Sequence, residues 1–174
     1  MADSKLTDQQ VADLVAILRS DSSLDAKVQF VTTVKSCIKQ HNVPETTVPL
    51  LFDGLRAASS SQHSALVNAG FTALNHLLTR LSRQDPKLLA KEAVRTLPLV
   101  VEKLGDQKDK YRGLALQGLN TFYAVAPQDV ERVVRNSAMS GKNPRAKEAG
   151  MQWLLQVRLS SQFTSGTDTH RTHR

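Results

Sequence analysis

Apolar residues recur at steps of three and four through most of the chain, which is the spacing of one face of an α-helix. The first such stretch covers about residues 8–19, and Thr7 with Gln10 forms a candidate capping box before it. A polar break at residues 20–23 separates it from a second stretch, which ends near residue 41. The pattern predicts two helices joined as a hairpin.

The same helical unit recurs along the chain. First helices are predicted to begin near residues 8, 46, 87 and 127, a period of about 40 residues that is typical of HEAT-type helical hairpins. Asp85 and Pro86 suit the N-cap and first position of the third unit, and Pro98 predicts an interruption in its first helix. We expect four repeats, at about residues 7–41, 44–82, 85–126 and 127–160.

Matching small residues support a stacked arrangement of these units. Residues 112–119 can be laid over residues 147–154, and small side chains at equivalent places let neighbouring helices approach closely. The expected fold is therefore all-α, an α-solenoid of HEAT-type hairpins in a domain at residues 1–160, although short loops and amphipathic helices also suit an ordinary bundle. Residues 161–174 lack apolar periodicity and are predicted to be a disordered tail.

Composition excludes several classes of protein. With 40% apolar residues, 8 Gly and 6 Pro in 174 residues, the chain is neither collagen-like nor wholly disordered. No uncharged apolar run approaches the ~20 residues that cross a bilayer, and the polar start differs from a secretory signal. We therefore expect a cytosolic or nuclear protein that does not bind membranes. The single cysteine, Cys37, is expected to fill the core.

No arrangement of residues in the sequence indicates catalysis. A catalytic site needs a nucleophile beside a base, paired carboxylates or a metal cluster, and none occurs here with useful spacing. Residues 141–143 look like the end of a phosphate-binding loop, but Asn143 stands where Ser or Thr is required and the segment follows a helix. We expect no enzyme activity, no cofactor and no metal.

The positive charge is concentrated in the later part of the chain. The net charge is +7, with six Lys/Arg against seven Asp/Glu in residues 1–58 and seventeen against nine in residues 59–174. In a stack of hairpins, the turns inside successive repeats lie along one edge. That edge would gather Lys108, Lys110, Lys142, Arg145 and Lys147. The pattern predicts a cationic surface for an acidic partner, with an ordinary solvated face as the alternative. Nucleic acid is disfavoured because the chain has no recognition motif.

Two of these turns carry a family resemblance. Residues 104–112 and 141–148, with Trp153, Leu154 and Leu155 after the second, resemble the third and fourth repeats of a TOG domain. From about Leu6 to Gln156 the chain is similar to the N-terminal TOG domain of fungal CLASP proteins, which stabilise microtubules in the mitotic spindle. The resemblance implies a flat stack of six HEAT repeats, so the four seen here suggest a truncated domain. It also implies a location on spindle microtubules in the cytoplasm, and in the nucleus during closed mitosis.

The resemblance also assigns roles to individual residues. It implies that the intra-repeat turns hold tubulin or microtubules through Ser20, Asp21, Lys108, Lys110, Lys142, Asn143 and Arg145. Asp106 and Arg112 would instead stabilise the third turn. The family usually presents an aromatic residue at the first turn, and this chain has none there. That difference favours the rival interpretation, a docking scaffold that recruits kinetochore or other proteins and has little affinity for tubulin.

Overall fold

A computed structural model describes residues 4–165, in which α-helices and one short 3₁₀ helix are joined by turns. The helices are α1 (Asp8–Arg19), α2 (Leu24–Gln40), α3 (Val48–Ser59), α4 (Ser64–Gln84), α5 (Pro86–Lys103), α6 (Asp109–Val125), α7 (Pro127–Ser140) and α8 (Pro144–Ser165). The 3₁₀ helix Glu45–Thr47 leads directly into α3. The predicted all-α class is confirmed. Among these helices, none is both long enough and apolar enough to cross a membrane.

Local hydrogen bonds start the helices where the sequence predicts them. The Thr7 hydroxyl accepts the Gln10 N–H at 3.1 Å, and the Gln10 side-chain oxygen accepts the Thr7 N–H at 3.0 Å, so the capping box is present. Asp85 accepts the N–H of Lys87 at 3.1 Å at the start of α5, with Pro86 in the first helical position. These two predicted helix starts are confirmed.

The predicted interruption at Pro98 is wrong, because α5 continues through it. A proline inside a helix removes one hydrogen bond to the carbonyl four residues earlier, here that of Val94. Val94 is 50% exposed, so water can satisfy that carbonyl. Leu97 and Val101 are buried on the inner face and hold the helix against the core on both sides of the proline.

The predicted disorder from residue 161 is also wrong for residues 161–165, which continue helix α8 to Ser165. No Gly or Pro occurs between Gly150 and Ser165, so nothing in the backbone ends the helix earlier. Once a helix exists, each added residue contributes one more backbone hydrogen bond, so the helix can extend through exposed polar residues. The rest of the predicted tail, residues 166–174, lies outside the described part.

The eight helices pair into four antiparallel hairpins that stack in two layers. Helices α1, α3, α5 and α7 pack side by side in one layer, and α2, α4 and α6 pack side by side in the other, while α8 packs mainly on α7. The core between the layers is apolar and includes the fully buried rings of Phe52, Phe71 and Phe122. Each hairpin therefore packs mainly on its neighbours, which is the contact pattern of a solenoid and not of a bundle with one shared core.

Small residues bring the second-layer helices together, except at α8. A Cβ at Gly118 would lie 3.2 Å from the Asn75 side-chain oxygen, so the glycine lets α6 approach α4 closely. In the superposed second helices, the equivalent position in α8 is Trp153. Its indole Nε1 donates to Asn120 Oδ1 at 2.8 Å. Its ring packs edge-to-face with that of Tyr123, and the two ring centroids lie 5.3 Å apart. The tryptophan therefore holds α8 to α6 through side chains and without close backbone packing.

A buried polar contact joins the first-layer helices α3 and α5. Arg56 Nη1 donates to the Thr96 hydroxyl at 3.0 Å and lies 3.5 Å from Glu92 Oε2, while its second Nη contacts Asp53. Thr96 is fully buried and Glu92 is only 8% exposed. The guanidinium thus supplies the partner that a buried carboxylate requires, and it ties the second hairpin to the third.

Candidate binding edge

The four turns inside the hairpins lie in a row along one side of the stack. Turn 1 comprises residues 20–23, turn 2 residues 60–63, turn 3 residues 104–108 and turn 4 residues 141–143. Each hairpin packs beside the next in the same orientation, so successive turns are neighbours. We call this row the turn edge. It brings together segments that are far apart in sequence.

Turn 3 is held by hydrogen bonds from its own side chains. Asp106 Oδ1 accepts the N–H of Lys108 at 2.9 Å, and Arg112 Nη1 donates to the carbonyls of Asp106 and Gln107 at 2.7 and 3.0 Å. Arg112 also pairs with Asp109. Asp106 and Arg112 thus bond to the turn itself, and their polar atoms are used mainly inside the protein.

Two lysines, Lys108 in turn 3 and Lys103 at the end of α5, share one aromatic neighbour. Lys108 is exposed, and its Nζ lies 5.5 Å from the centre of the Tyr111 ring. Lys103 Nζ lies 5.4 Å from the same ring, so two cations share one aromatic partner. Burial, and secondarily the Asp106 carboxylate, raises the pKa of the Tyr111 phenol above its usual value. Tyr111 therefore stays neutral and acts as an apolar support for the lysines.

Lys110 connects two hairpins across the edge. Its Nζ donates to Asn68 Oδ1, in α4, at 2.7 Å. The side chain is exposed, but this bond directs it towards turn 2. Lys110 therefore links α6 to α4 beside turns 2 and 3.

Turn 4 is fastened to the third hairpin by Asn143. The Asn143 side-chain oxygen accepts the N–H groups of Arg145 at 3.1 Å and Ala146 at 3.3 Å, and thereby caps α8. Its amide nitrogen donates to Glu102 Oε1, in α5, at 3.2 Å. Asn143 thus makes hydrogen bonds within the protein from both ends of its amide. Lys142 and Arg145, on either side of it, are exposed.

Gly105 allows turns 3 and 4 to touch, and sequence reasoning did not single it out. A Cβ on Gly105 would lie 2.5 Å from the Ala146 nitrogen and 2.8 Å from Asn143 Nδ2. No glycine among the described residues has a positive φ, so close approach and not an unusual backbone angle requires the glycine. The signals in the sequence were a glycine two residues after the end of α5 and its place in the turn that carries the family resemblance.

An open groove of about 700 Å³ lies beside the contact between turns 3 and 4 and is lined by residues on both sides of it. Its lining includes Lys103, Lys108 and Arg145, together with the carboxylates of Glu102 and Asp106. Three cations therefore face one concave space, two of them predicted from the sequence. Sequence reasoning missed Lys103 because it lies inside helix α5 and not in the turn.

Ser20 and Asp21 lie at the opposite end of the turn edge and do not meet the basic residues. The Ser20 hydroxyl donates to the Ile17 carbonyl at 2.8 Å and accepts the Ser22 N–H at 3.2 Å, so it closes turn 1. Asp21 is exposed. The edge is thus neutral to acidic at one end and basic at the other.

The described residues of the turn edge present charged side chains at the surface. Among them, no group of three or more His, Cys, Asp or Glu side chains could hold a metal ion. Cys37 is buried in the core. The arrangement of fixed, exposed cations beside a groove is suited to holding an acidic surface.

Comparison with protein families gives a match over nearly the whole chain. The family model described as CLASP N terminal matches residues 7–173. The match extends past Gln156, where the resemblance found in the sequence ends.

Curated fungal proteins are similar over the same region. Protein STU1 of Gibberella zeae is 76% identical over 157 residues, which are 90% of this chain and 14% of that protein. Protein stu-1 of Neurospora crassa is 67% identical over 153 residues, which are 88% of this chain and 14% of that protein. The chain therefore spans about one seventh of the length of these two relatives.

A solved structure shows the same fold. The crystal structure of the MAST/Orbit N-terminal domain aligns with a TM-score of 0.70 at 20% sequence identity, covering 90% of this chain and 67% of that one. The expected HEAT-type solenoid is thereby confirmed. The family match and the fold agree with the resemblance read from turns 3 and 4, and we conclude that this chain belongs to the CLASP N-terminal family.

Proposed function

We propose that this chain is a tubulin-binding module that associates with microtubules through its turn edge and contributes, without catalysis, to spindle assembly. One observation carries the proposal: exposed Lys108, Lys142 and Arg145 lie on adjacent turns that are fastened to each other. Membership of the CLASP N-terminal family supports a role in association with microtubules.

The fixed geometry of the two turns supports this proposal. Single exposed ion pairs contribute only about 0.2–1 kcal/mol each, because mobile side chains lose entropy and salt screens them. Several cations on rigid, adjacent turns add their effects without reordering the backbone. They also speed the encounter with an acidic surface such as that of tubulin. The proposed surface also includes Lys110 and Asn143, which make hydrogen bonds between hairpins. Its far end, at turn 1, includes Ser20 and Asp21.

Charge reversal tests the proposal. We compare the unsubstituted chain with a Lys108→Glu, Lys142→Glu, Arg145→Glu triple variant in cosedimentation with microtubules and in binding to free tubulin. A matched control carries Arg83→Glu, Lys87→Glu and Lys91→Glu, which makes the same change in net charge at exposed positions near the opposite edge.

The turn-edge variant is expected to lose binding by at least tenfold, and the control by much less, with the difference shrinking as salt is raised. Equal losses in both variants would show that only net charge matters. Strong binding that survives the turn-edge substitutions would refute the assignment of the edge.

A docking scaffold for kinetochore or other proteins is the second candidate. It is favoured by turn 1, which presents Ser20 and Asp21 and no aromatic side chain that could anchor a partner. In that case the chain would bind neither microtubules nor free tubulin, and the cosedimentation experiment separates the two functions.

A further inference from the structure

Cationic side chains gather where α2 packs on α4, in the halves of these helices that lie away from the turn edge. Lys35 and Lys39 are one helical turn apart on α2, and His76 and Arg80 are one turn apart on α4. Arg80 Nε donates to the Ile38 carbonyl at 2.9 Å, and its second Nη donates to the Lys39 carbonyl. These hydrogen bonds fix the register of the two helices and bring His76 beside the two lysines. We call the four side chains of Lys35, Lys39, His76 and Arg80 the α2–α4 patch.

The α2–α4 patch has no carboxylate to neutralise it. Helix α4 contains no Asp or Glu, and the one in α2, Asp25, lies in its first turn, at the turn edge. Helix α6, on the other side of α4, has only Asp109, which is also in its first turn. Among the described residues, no ion pair includes a side chain of the patch, whereas Arg56 and Arg132 each pair with a carboxylate. Like charges are thus gathered on adjacent helices with nothing to offset them.

Stabilisation of helix ends accounts for only part of this cluster. A cation in the last turn of a helix is favoured by the helix dipole, which suits Lys39 at the end of α2. Lys35 and His76 precede the last turns of their helices, where that effect has fallen off. Burial, and then the charges of Lys39 and Lys35, lowers the pKa of His76 below its usual value. The free protein therefore carries an unfavourable arrangement of charge that an anionic partner would relieve.

We propose that the α2–α4 patch binds an extended acidic segment of a protein partner, with carboxylates on alternate residues. Residues four apart in a helix lie about 6 Å apart along its axis, and alternate side chains of an extended chain lie about 6.6 Å apart. Successive carboxylates would therefore meet first Lys35 with His76 and then Lys39 with Arg80.

The chemistry of the patch favours a protein segment over other anionic partners. Its four side chains include no aromatic ring of the kind that stacks on nucleic-acid bases, apart from the imidazole, and no apolar side chain that would enter a bilayer. The patch is separate from the turn edge, so the inference does not depend on the proposed function.

A designed peptide tests the inference. A fluorescent peptide of alternating Glu and Ser is titrated with the chain, beside a peptide of the same length in which Gln replaces Glu. The Lys35→Gln, Lys39→Gln double variant removes two cations of the patch and keeps side chains of similar size. Lys87→Gln, Lys91→Gln is the matched control, because it removes two exposed lysines four residues apart on α5, in the other layer. Thermal melting verifies that both variants are folded.

The Glu–Ser peptide is expected to bind the unsubstituted chain at about 0.05 M salt, and the Gln–Ser peptide is not. The patch variant should weaken binding about tenfold and the α5 control by less than about twofold. The pKa of His76, followed through its imidazole NMR signals, should rise when the Glu–Ser peptide binds, because a nearby carboxylate favours the protonated ring.

Equal weakening in the two variants would overturn the inference, and so would a pKa of His76 that does not respond to the bound peptide. Binding of phosphatidylserine vesicles or single-stranded DNA that depends on Lys35 and Lys39, without binding of the peptide, would also overturn it. None of these results bears on cosedimentation through the turn edge, which the charge-reversal variants test separately.

Discussion

The contact between turns 3 and 4 predicts a large effect for a very small substitution, Gly105→Ala. The added methyl group would lie 2.5 Å from the Ala146 nitrogen, 2.8 Å from Asn143 Nδ2 and 3.0 Å from the Ala146 Cα. Two of these three atoms are backbone atoms at the start of α8, which cannot rotate away as the end of a long side chain could. Turn 3 and the beginning of α8 must therefore separate.

The magnitude follows from the contacts that this separation weakens. Overpacking of a well-packed site costs about 1–3 kcal/mol, and loss of an Asn N-cap costs about 1 kcal/mol. Since the shift disturbs both the packing and the Asn143 cap, we expect the free energy of unfolding to fall by about 2–3 kcal/mol. In a chain of this size, a loss of about 2 kcal/mol lowers the melting temperature by roughly 4–8 °C.

Gly113→Ala is the matched control. A Cβ on Gly113, an exposed position in α6, would meet nothing within 4 Å. Alanine there should stabilise the helix by about 0.5–1 kcal/mol, because glycine loses more backbone entropy on folding. Urea unfolding followed by circular dichroism compares the two variants with the unsubstituted chain. If Gly105→Ala is as stable as Gly113→Ala, the close contact between turns 3 and 4 does not exist as described.

Three further outcomes are expected. Arg56→Met should lower the free energy of unfolding by about 2–3 kcal/mol, because it leaves the buried Glu92 carboxylate without a cationic partner. The loss should be smaller when Glu92 is also replaced by Met, and urea titration of both variants measures the difference. Trp153→Phe should cost about 1 kcal/mol in the same assay, because it leaves the Asn120 oxygen without its indole donor, and an Asn120→Ala background should reduce the effect. Burial, and then the positive charge of two α2 lysines, lowers the pKa of His76 below 6.5 in the folded chain. As the pH decreases, the imidazole of His76 is therefore protonated in the unfolded chain before it is protonated in the folded chain, and stability should fall from pH 7.5 through 6.5. His76→Gln should make the unfolding midpoints at pH 7.5 and 5.5 more nearly equal.

The helices and their starts could be predicted from the sequence because their causes are local. Apolar spacing of three and four residues, the Thr7–Gln10 capping box and the Asp85–Pro86 pair all act within one helical turn. The family could also be predicted, since its resemblance lies in the residues of two short turns. Errors arose where packing overrides a local preference, as at Pro98, which the buried face of α5 keeps inside one helix.

Only the tertiary structure decided how the turn edge is built. The Asn143–Glu102 and Lys110–Asn68 hydrogen bonds each join residues about forty positions apart, which is one repeat of the solenoid. Which side chains meet across that distance depends on how closely successive hairpins stack, and a single missing methyl group at Gly105 controls that approach at turns 3 and 4. The sequence by itself therefore determined the helices, the repeat and the basic turns, because these depend on near neighbours. Hairpin packing determined which cations project from the edge and which of them face the groove at turns 3 and 4.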